Sequence, residues 1–182
     1  ERIHDAAIEV LERAGVQINT ETGREYFRRA GARVDEETRV VKVPGSLIED
    51  AIASAPRRVV LCGREERNDA VLEDKRVYLG TGGTALYVLD LDTGEKRPSL
   101  NEDVAMNARL VDALDSVHIF TINVFPNEIE DVDDVDINRF YASLCNTTKH
   151  VMGGVYSSSG AKQVVEMASM IAGGMEKLRE RP

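Results

Sequence analysis

Apolar residues recur at helical spacing from the start of the chain. Ile3, Ala6, Ala7, Val10 and Leu11 fall at i, i+3, i+4 intervals, and Gly15 is placed to end the helix they predict. A second helix is predicted from Thr20 to about Ala30, with Tyr26 and Phe27 on its apolar side and Gly31 as its stop. Val40, Val41 and Val43 predict a short strand. Pro44 then suits the first turn of a helix carrying Leu47, Ile48, Ala51 and Ile52, which Pro56 closes. Residues 59–61 predict one more short strand. Residues 1–74 thus read as a helical N-terminal extension with short strands.

From Arg76 the pattern changes to strand, helix, strand, helix. A strand at 77–79 runs into Gly80-Thr81-Gly82-Gly83, and 85–91 with 96–98 predicts a hairpin around Asp92-Thr93-Gly94. Ser99 and Glu102 match a capping box. The helix behind them carries Val104, Ala105, Ala108, Val111 and Leu114 on one face. The almost unbroken apolar run 117–124 predicts a strand covered on both faces. Ile137, Phe140, Tyr141 and Leu144 mark the next helix, and 151–156 the next strand. Ala161, Val164, Val165, Ala168, Ile171 and Ala172 form a final apolar stripe, ended by Gly173-Gly174. Strands alternating with helices imply a parallel sheet with right-handed crossovers. A closed eight-unit barrel needs about 250 residues. The 182 residues here, with three such units at 75–182, leave an open sheet or the front portion of a barrel.

Charge narrows the function. Lys plus Arg number 23 against 32 Asp plus Glu, a net −9, which argues against an electrostatic grip on nucleic acid or anionic lipid. No apolar run approaches the roughly 18–20 residues of a membrane helix. The first residues, Glu1-Arg2-Ile3-His4, show neither a signal-peptide core nor an initiator Met, as expected of a processed or excised segment. Two cysteines, Cys62 and Cys145, exclude a disulfide scaffold and a four-cysteine zinc site, and they suit a cytoplasmic protein.

Obvious catalytic constellations are scarce. Gly80-Thr81-Gly82-Gly83 matches neither phosphate-loop nor dinucleotide fingerprint, which leaves tight packing or ligand contact. The acidic run Glu128, Glu130, Asp131, Asp133, Asp134 and Asp136 lacks the Gly and distal Glu of a calcium loop and reads as a helix start. His4, His118 and His150 have no second ligand at helical spacing, so no metal site is expected. Ser157-Ser158-Ser159-Gly160 reads as a helix cap rather than a nucleophile elbow, and Cys145 as a packed side chain. Tyr87, Phe125 and Tyr156 fall at or beyond the C-terminal ends of predicted strands, with Asn123 and Thr81 beside them. Aromatic faces with little positive charge nearby suit an alkylammonium ligand through cation–π attraction.

Several strings together resemble one family. Ile3-His4-Asp5-Ala6-Ala7 through Ala14-Gly15-Val16, then the Val43-Pro44 helix ending Ala55-Pro56-Arg57, resemble the N-terminal region of the trimethylamine methyltransferase family. So do Gly80-Thr81-Gly82-Gly83 through Leu89-Asp90-Leu91-Asp92-Thr93-Gly94-Glu95, Arg109-Leu110-Val111-Asp112-Ala113-Leu114-Asp115, and Asn146-Thr147-Thr148-Lys149. The resemblance implies an α/β fold, the front portion of a (β/α)8 TIM-type barrel with a helical N-terminal extension. It further implies transfer of a methyl group from trimethylamine, or a quaternary amine such as glycine betaine, to the cobalt of a separate corrinoid protein. Some relatives use pyrrolysine to hold the amine; that position lies in the later half of the barrel, beyond this sequence.

Cobalt is itself the nucleophile in such chemistry, so the protein's task is to orient the N–methyl bond and stabilise changing charge. No catalytic residue is assigned. Thr81, Gly82, Gly83, Tyr87, Asn123 and Tyr156 are the candidate substrate-binding residues. The expected partners are a cognate corrinoid protein and a small methylated amine. Further copies of the chain are expected to meet at an unpaired sheet edge, and neither nucleic acid nor membrane is expected to bind. No cofactor is expected to be bound directly, and the chain alone is expected to be inactive. Two rival readings are a non-catalytic quaternary-amine binding protein on the same barrel and another TIM-barrel enzyme, acting on a phosphorylated metabolite.

Overall fold

The computed structural model describes residues 2–182. Its contacts divide the chain into two compact units, Glu1–Pro56 and Arg57–Pro182.

The first unit contains α1 (Arg2–Arg13), β1 (Val16–Gln17), α2 (Glu21–Arg29), β2 (Arg33–Val34), β3 (Val40–Lys42) and α3 (Gly45–Ser54). The three strands form an antiparallel sheet in the order β1-β3-β2. Val41, Val43 and Ala32 are buried, with Phe27, Leu47 and Ile48 packed against them. Gly15 turns the chain at φ +82°, and a Cβ there would lie 2.6 Å from the Val41 carbonyl oxygen. The helices follow the periodicity, but Tyr26, expected on the apolar side of α2, is 69% exposed. Half-buried Phe27 and, one turn earlier, buried Arg24 carry that helix inward. Ile3 and Val10 of α1 also stay exposed.

The second unit opens with an antiparallel hairpin of β4 (Arg58–Leu61) and β5 (Ala70–Glu73). The sequence pattern groups this hairpin with the extension. Its connecting loop is tied to the second unit instead, through Arg64 N–H to Thr148 O and His150 Nδ1 to Cys62 O. A second hairpin pairs β6 (Tyr87–Leu89) with β7 (Lys96–Pro98) around the expected turn, where Asp90 Oδ1 accepts from Asp92 and Thr93 N–H. Then follow α4 (Asn101–Ala113), β8 (Ile119–Thr121), α5 (Val132–Leu144), β9 (His150–Met152), α6 (Ser158–Ala172) and α7 (Met175–Glu180). Strands β8 and β9 pair in parallel, Ile119 opposite His150 and Thr121 opposite Met152. On the other side of β8, parallel bridges join Gly80 to Ile119 and Ala85 to Val124. Three parallel segments are therefore aligned, and no closed sheet is present among the described residues.

Four expectations change here. Residues 77–79 form no ladder: pairing starts at Gly80, and Val77 and Leu79 are exposed. The strand expected at 151–156 ends at Met152. The chain then passes close to the core at Gly153, where a Cβ would stand 3.0 Å from Ile122 and from Phe140. The run 117–124 is covered on one face only. Phe120, Ile122 and Val124 are buried with Val104, Ala108 and Val111 of α4 and Phe140 of α5, whereas residues 119, 121 and 123 are half-buried. Helix α4 begins one residue later than Ser99 and Glu102 imply: Asp103 accepts from the Leu100 N–H at 2.8 Å. Helix α6 forms where its stripe predicts and ends at Gly173, φ +85°, but Val165 and Ile171 of that stripe are exposed and the others only half-buried. Among the described residues no helix is long and apolar enough to cross a membrane.

Candidate functional site

The parallel register brings the C-terminal ends of the aligned segments together, and the candidates sort by what their side chains already touch. Thr81 Oγ1 donates to the Thr121 carbonyl at 2.6 Å, so its hydroxyl staples two neighbouring segments. Asn123 Oδ1 accepts from Asn107 Nδ2 at 3.2 Å. Gly80 has packing to respect, since a Cβ would meet the Ile119 carbonyl at 3.2 Å. At Gly82 and Gly83 a Cβ would meet nothing within 4 Å, and only Gly83, at φ +79°, needs glycine for its conformation. The glycine run is thus a close approach at its start and open backbone beyond.

Tyr87 lies in the β6–β7 hairpin, half-exposed, with Lys96 Nζ 4.0 Å from its ring centroid. Its own chain already supplies that ring with a cation. Tyr156 differs. Its side chain meets Phe125 edge to face, centroids 6.1 Å apart at 70°, and the residue remains 52% exposed. The structure therefore joins Phe125 and Tyr156.

Phe125 is fixed by a polar knot around the buried Ser99. Ser99 Oγ donates to the Phe125 carbonyl at 2.6 Å and lies 3.1 Å from the Ala85 carbonyl. Asn127 Nδ2 reaches the Leu86 and Ser99 carbonyls at 2.9 and 3.0 Å. Ser99, expected as a helix cap, instead ties the glycine-rich segment to β8. Tyr156 is held by α5. Its N–H donates to Asp136 Oδ2 at 2.6 Å, and the Arg139 guanidinium sits 4.6 Å from its ring centroid. Arg139 Nη2 donates to Asp136 Oδ1 at 2.8 Å and to the Gly154 carbonyl. The side chains of Arg139 and Asp136 are 3% and 0% exposed. Sequence reasoning missed this pair by treating Asp136 as one of six acidic residues at a helix start. The i, i+3 spacing with Arg139, beside Phe140 and Ser143, was the available signal. Asp131 alone behaves as the cap, accepting from Asp133 N–H.

At the other end of the strands the chemistry is structural. Lys149 Nζ donates to the carbonyls of Val111, Leu114 and Val117 at 2.7, 2.7 and 2.6 Å, closing the C-terminus of α4. Asp112 accepts from Thr147 Oγ1 and from the Thr148 N–H and hydroxyl. Burial pushes its carboxyl up, but those Thr148 and Thr147 hydrogen bonds outweigh burial and hold it below the ordinary value. Arg109 reaches Asn146 at 2.8 Å. The strings 109–115 and 146–149 thus lock onto each other. His118 Nδ1 accepts from the Leu79 N–H, and His4 pairs with Glu49. Among the described residues no three His, Cys, Asp or Glu side chains are grouped to hold a metal. Ser157 caps α6 by accepting from Gly160 N–H. Cys145, expected to pack, is exposed, and burial pushes the Cys62 thiol up.

Residues 1–182 match the family described as trimethylamine methyltransferase (MTTB), and the chain belongs to that family. It is 42% identical over 180 residues to the trimethylamine methyltransferase MttB of Desulfitobacterium hafniense, covering 99% of this chain and 36% of that protein. It is 32% identical over 151 residues to MttB of Methanosarcina thermophila, covering 81% of this chain and 31% of the relative. A glycine betaine methyltransferase of Desulfitobacterium hafniense is 27% identical over 184 residues, 100% of this chain and 37% of the relative. The chain therefore spans about a third of the length of these relatives.

Proposed function

We propose that this chain is the front portion of a (β/α)8 barrel. In our reading the complete protein moves a methyl group from trimethylamine or a quaternary amine such as glycine betaine to the cobalt of a cognate corrinoid protein. The observation that carries the reading is the Phe125–Tyr156 pair at the C-terminal ends of parallel strands, in a chain of this family. In (β/α)8 enzymes that end is where chemistry is done. Rings with an exposed face attract a methylammonium head, and the net charge of −9 favours cations in general.

The corrinoid, carried by the partner protein, supplies the methyl acceptor. This chain's residues bind and orient the amine. Tyr156 and Phe125 face the methyl groups, Thr81 and Asn123 fix the neighbouring segments, and the open backbone at Gly82 and Gly83 leaves room for a close approach.

The test is ligand binding to the full-length protein. Two probes are glycine betaine and tetramethylammonium, each compared with a neutral-headed analogue of the same heavy-atom count, 3,3-dimethylbutanoate and tert-butanol. Cation–π contact is worth about 0.5–2 kcal/mol, so Tyr156→Leu is expected to weaken the cation roughly 2- to 30-fold and the neutral analogue less. Tyr156→Phe keeps most of the affinity, because the face does the attracting. Tyr87→Leu probes the second tyrosine in the same way. Equal losses for charged and neutral heads would reduce the aromatic residues to packing, and no loss at either tyrosine would remove both from the site.

A further inference from the structure

We infer that Asp136 is a charge-balancing residue for the amine site: it neutralises Arg139, so that the guanidinium backs the Tyr156 ring without repelling a cation bound on the ring's open side. The inference rests on the methylammonium reading of Tyr156 and assigns a role to residues that do not touch the ligand.

The geometry poses the problem. Arg139 lies 4.6 Å from the Tyr156 ring centroid, well inside cation–π range. A ring already facing one cation is a poor platform for a second. A methylammonium about 4.5 Å beyond the ring would stand about 9 Å from the guanidinium. At an effective dielectric of about 20–40, like charges at that distance weaken binding by roughly 5- to 20-fold.

Asp136 removes the obstacle. Its Oδ1 accepts from Arg139 Nη2 at 2.8 Å, and both side chains are almost wholly out of water, so solvent screens the guanidinium little. Seen from the ligand side, the pair carries no net charge. The same carboxylate orients the ring's backbone, since Oδ2 accepts the Tyr156 N–H at 2.6 Å. Gly160 makes room for it: a Cβ there would lie 2.7 Å from Asp136 Oδ2. Arg139 Nη2 is anchored a second time on the Gly154 carbonyl, so the cation is held at the ring rather than swung toward solvent.

A scaffold role and a charge-balancing role predict different signs. The quantity to read is the ratio of cation to neutral-analogue affinity in the full-length protein, using the two ligand pairs above. Asp136→Asn leaves the cation uncompensated and is expected to lower the ratio about 5- to 20-fold. Arg139→Gln removes the repelling charge and is expected to keep the ratio or raise it. The double variant Asp136→Asn/Arg139→Gln is expected to return the ratio to within about 2-fold of wild type at the same effective dielectric. If the pair only props up the ring, both single variants misplace Tyr156, and both lower the ratio. A fall with Arg139→Gln therefore overturns the inference even if Asp136→Asn proves too unstable to purify. Tyr156→Leu serves as the control. If it leaves the ratio unchanged, the methylammonium reading itself has failed. If it lowers the ratio while Asp136→Asn does not, that reading stands and charge balancing alone is wrong.

Discussion

At the scale of single residues, three glycines near the candidate site ask for different things. Gly160 faces the buried Asp136 carboxylate, Gly83 sits at φ +79°, and Gly82 has neither restriction. Alanine at 160 forces overpacking against a charged group and is expected to cost about 1–3 kcal/mol. Alanine at 83 is expected to cost about 1–2 kcal/mol for its left-handed backbone, and alanine at 82 less than about 0.5 kcal/mol. Thermal unfolding of the full-length variants checks the ranking, and a large loss at 82 would contradict it. Sequence alone grouped Gly82 and Gly83, and it placed Gly160 in a helix cap without its contact to Asp136. A glycine's reason lies in its φ and in distant neighbours, and neither is written locally. The same holds for Arg139 and Asp136, whose partners at 154 and 156 lie in the loop between β9 and α6. Tyr156 was singled out because an aromatic at the C-terminal end of a predicted strand needs only the strand's direction to be placed.

Asp103 gives a pH prediction at this scale. Two hydrogen bonds from Arg97, at 2.8 Å each, hold its carboxyl below the ordinary range; burial opposes them and the Leu100 N–H assists. A folded-state pKa below the unfolded value of about 3.9 means the stabilisation is complete above that value and is lost as pH falls through the folded pKa. Asp103→Asn is expected to be less stable than wild type at pH 7, with the gap closing below about pH 4. A gap of constant size from pH 7 to pH 3 would show that the ion pair is not its source.

At the scale of elements, the long helices and the β6–β7 hairpin were legible and the shortest strands were not. A helix of ten or more residues repeats its 3.6-residue pattern several times, and Asp92-Thr93-Gly94 is explicit turn chemistry. The two-residue strands β1 and β2 carry no period at all. Their pairing is set by β3 across the sheet. The start of α4 was misread because Ser99 is a better cap on paper than Leu100. Its hydroxyl serves the knot with Ala85 and Phe125 instead, and Asp103 supplies the helix start. The other end of α4 rests on Lys149, whose ammonium answers three carbonyls. Lys149→Met leaves those acceptors unmet in a buried setting and is expected to cost at least about 2 kcal/mol. In urea this lowers the unfolding midpoint with an unchanged slope. A midpoint matching wild type would mean that water replaces the ammonium.

At the scale of the whole molecule, the second unit orders three parallel segments by a single register, 80 beside 119 beside 150, with α4 and α5 contributing to the core on one face of β8. Among the described residues β9 pairs only with β8, which leaves its outer edge for a further strand. That arrangement supports the proposed barrel front, in which the polar locks at the strand starts serve stability and the aromatic pair at the strand ends serves ligand. Two of the strings that carried the family resemblance, 109–115 and 146–149, are such locks, with Arg109 on Asn146 and Asp112 on Thr147 and Thr148, whereas the string 80–95 holds the candidates Thr81, Gly82, Gly83 and Tyr87.

The most direct test is methyl transfer by the full-length protein to an added cognate corrinoid protein, with trimethylamine and glycine betaine offered separately. The corrinoid's visible spectrum reports its methylation, and the demethylated amine is measured alongside. The account predicts one methyl group gained by the corrinoid for each amine demethylated, with at least one of the two amines. Binding of both amines with no methyl transferred to any corrinoid partner would contradict it.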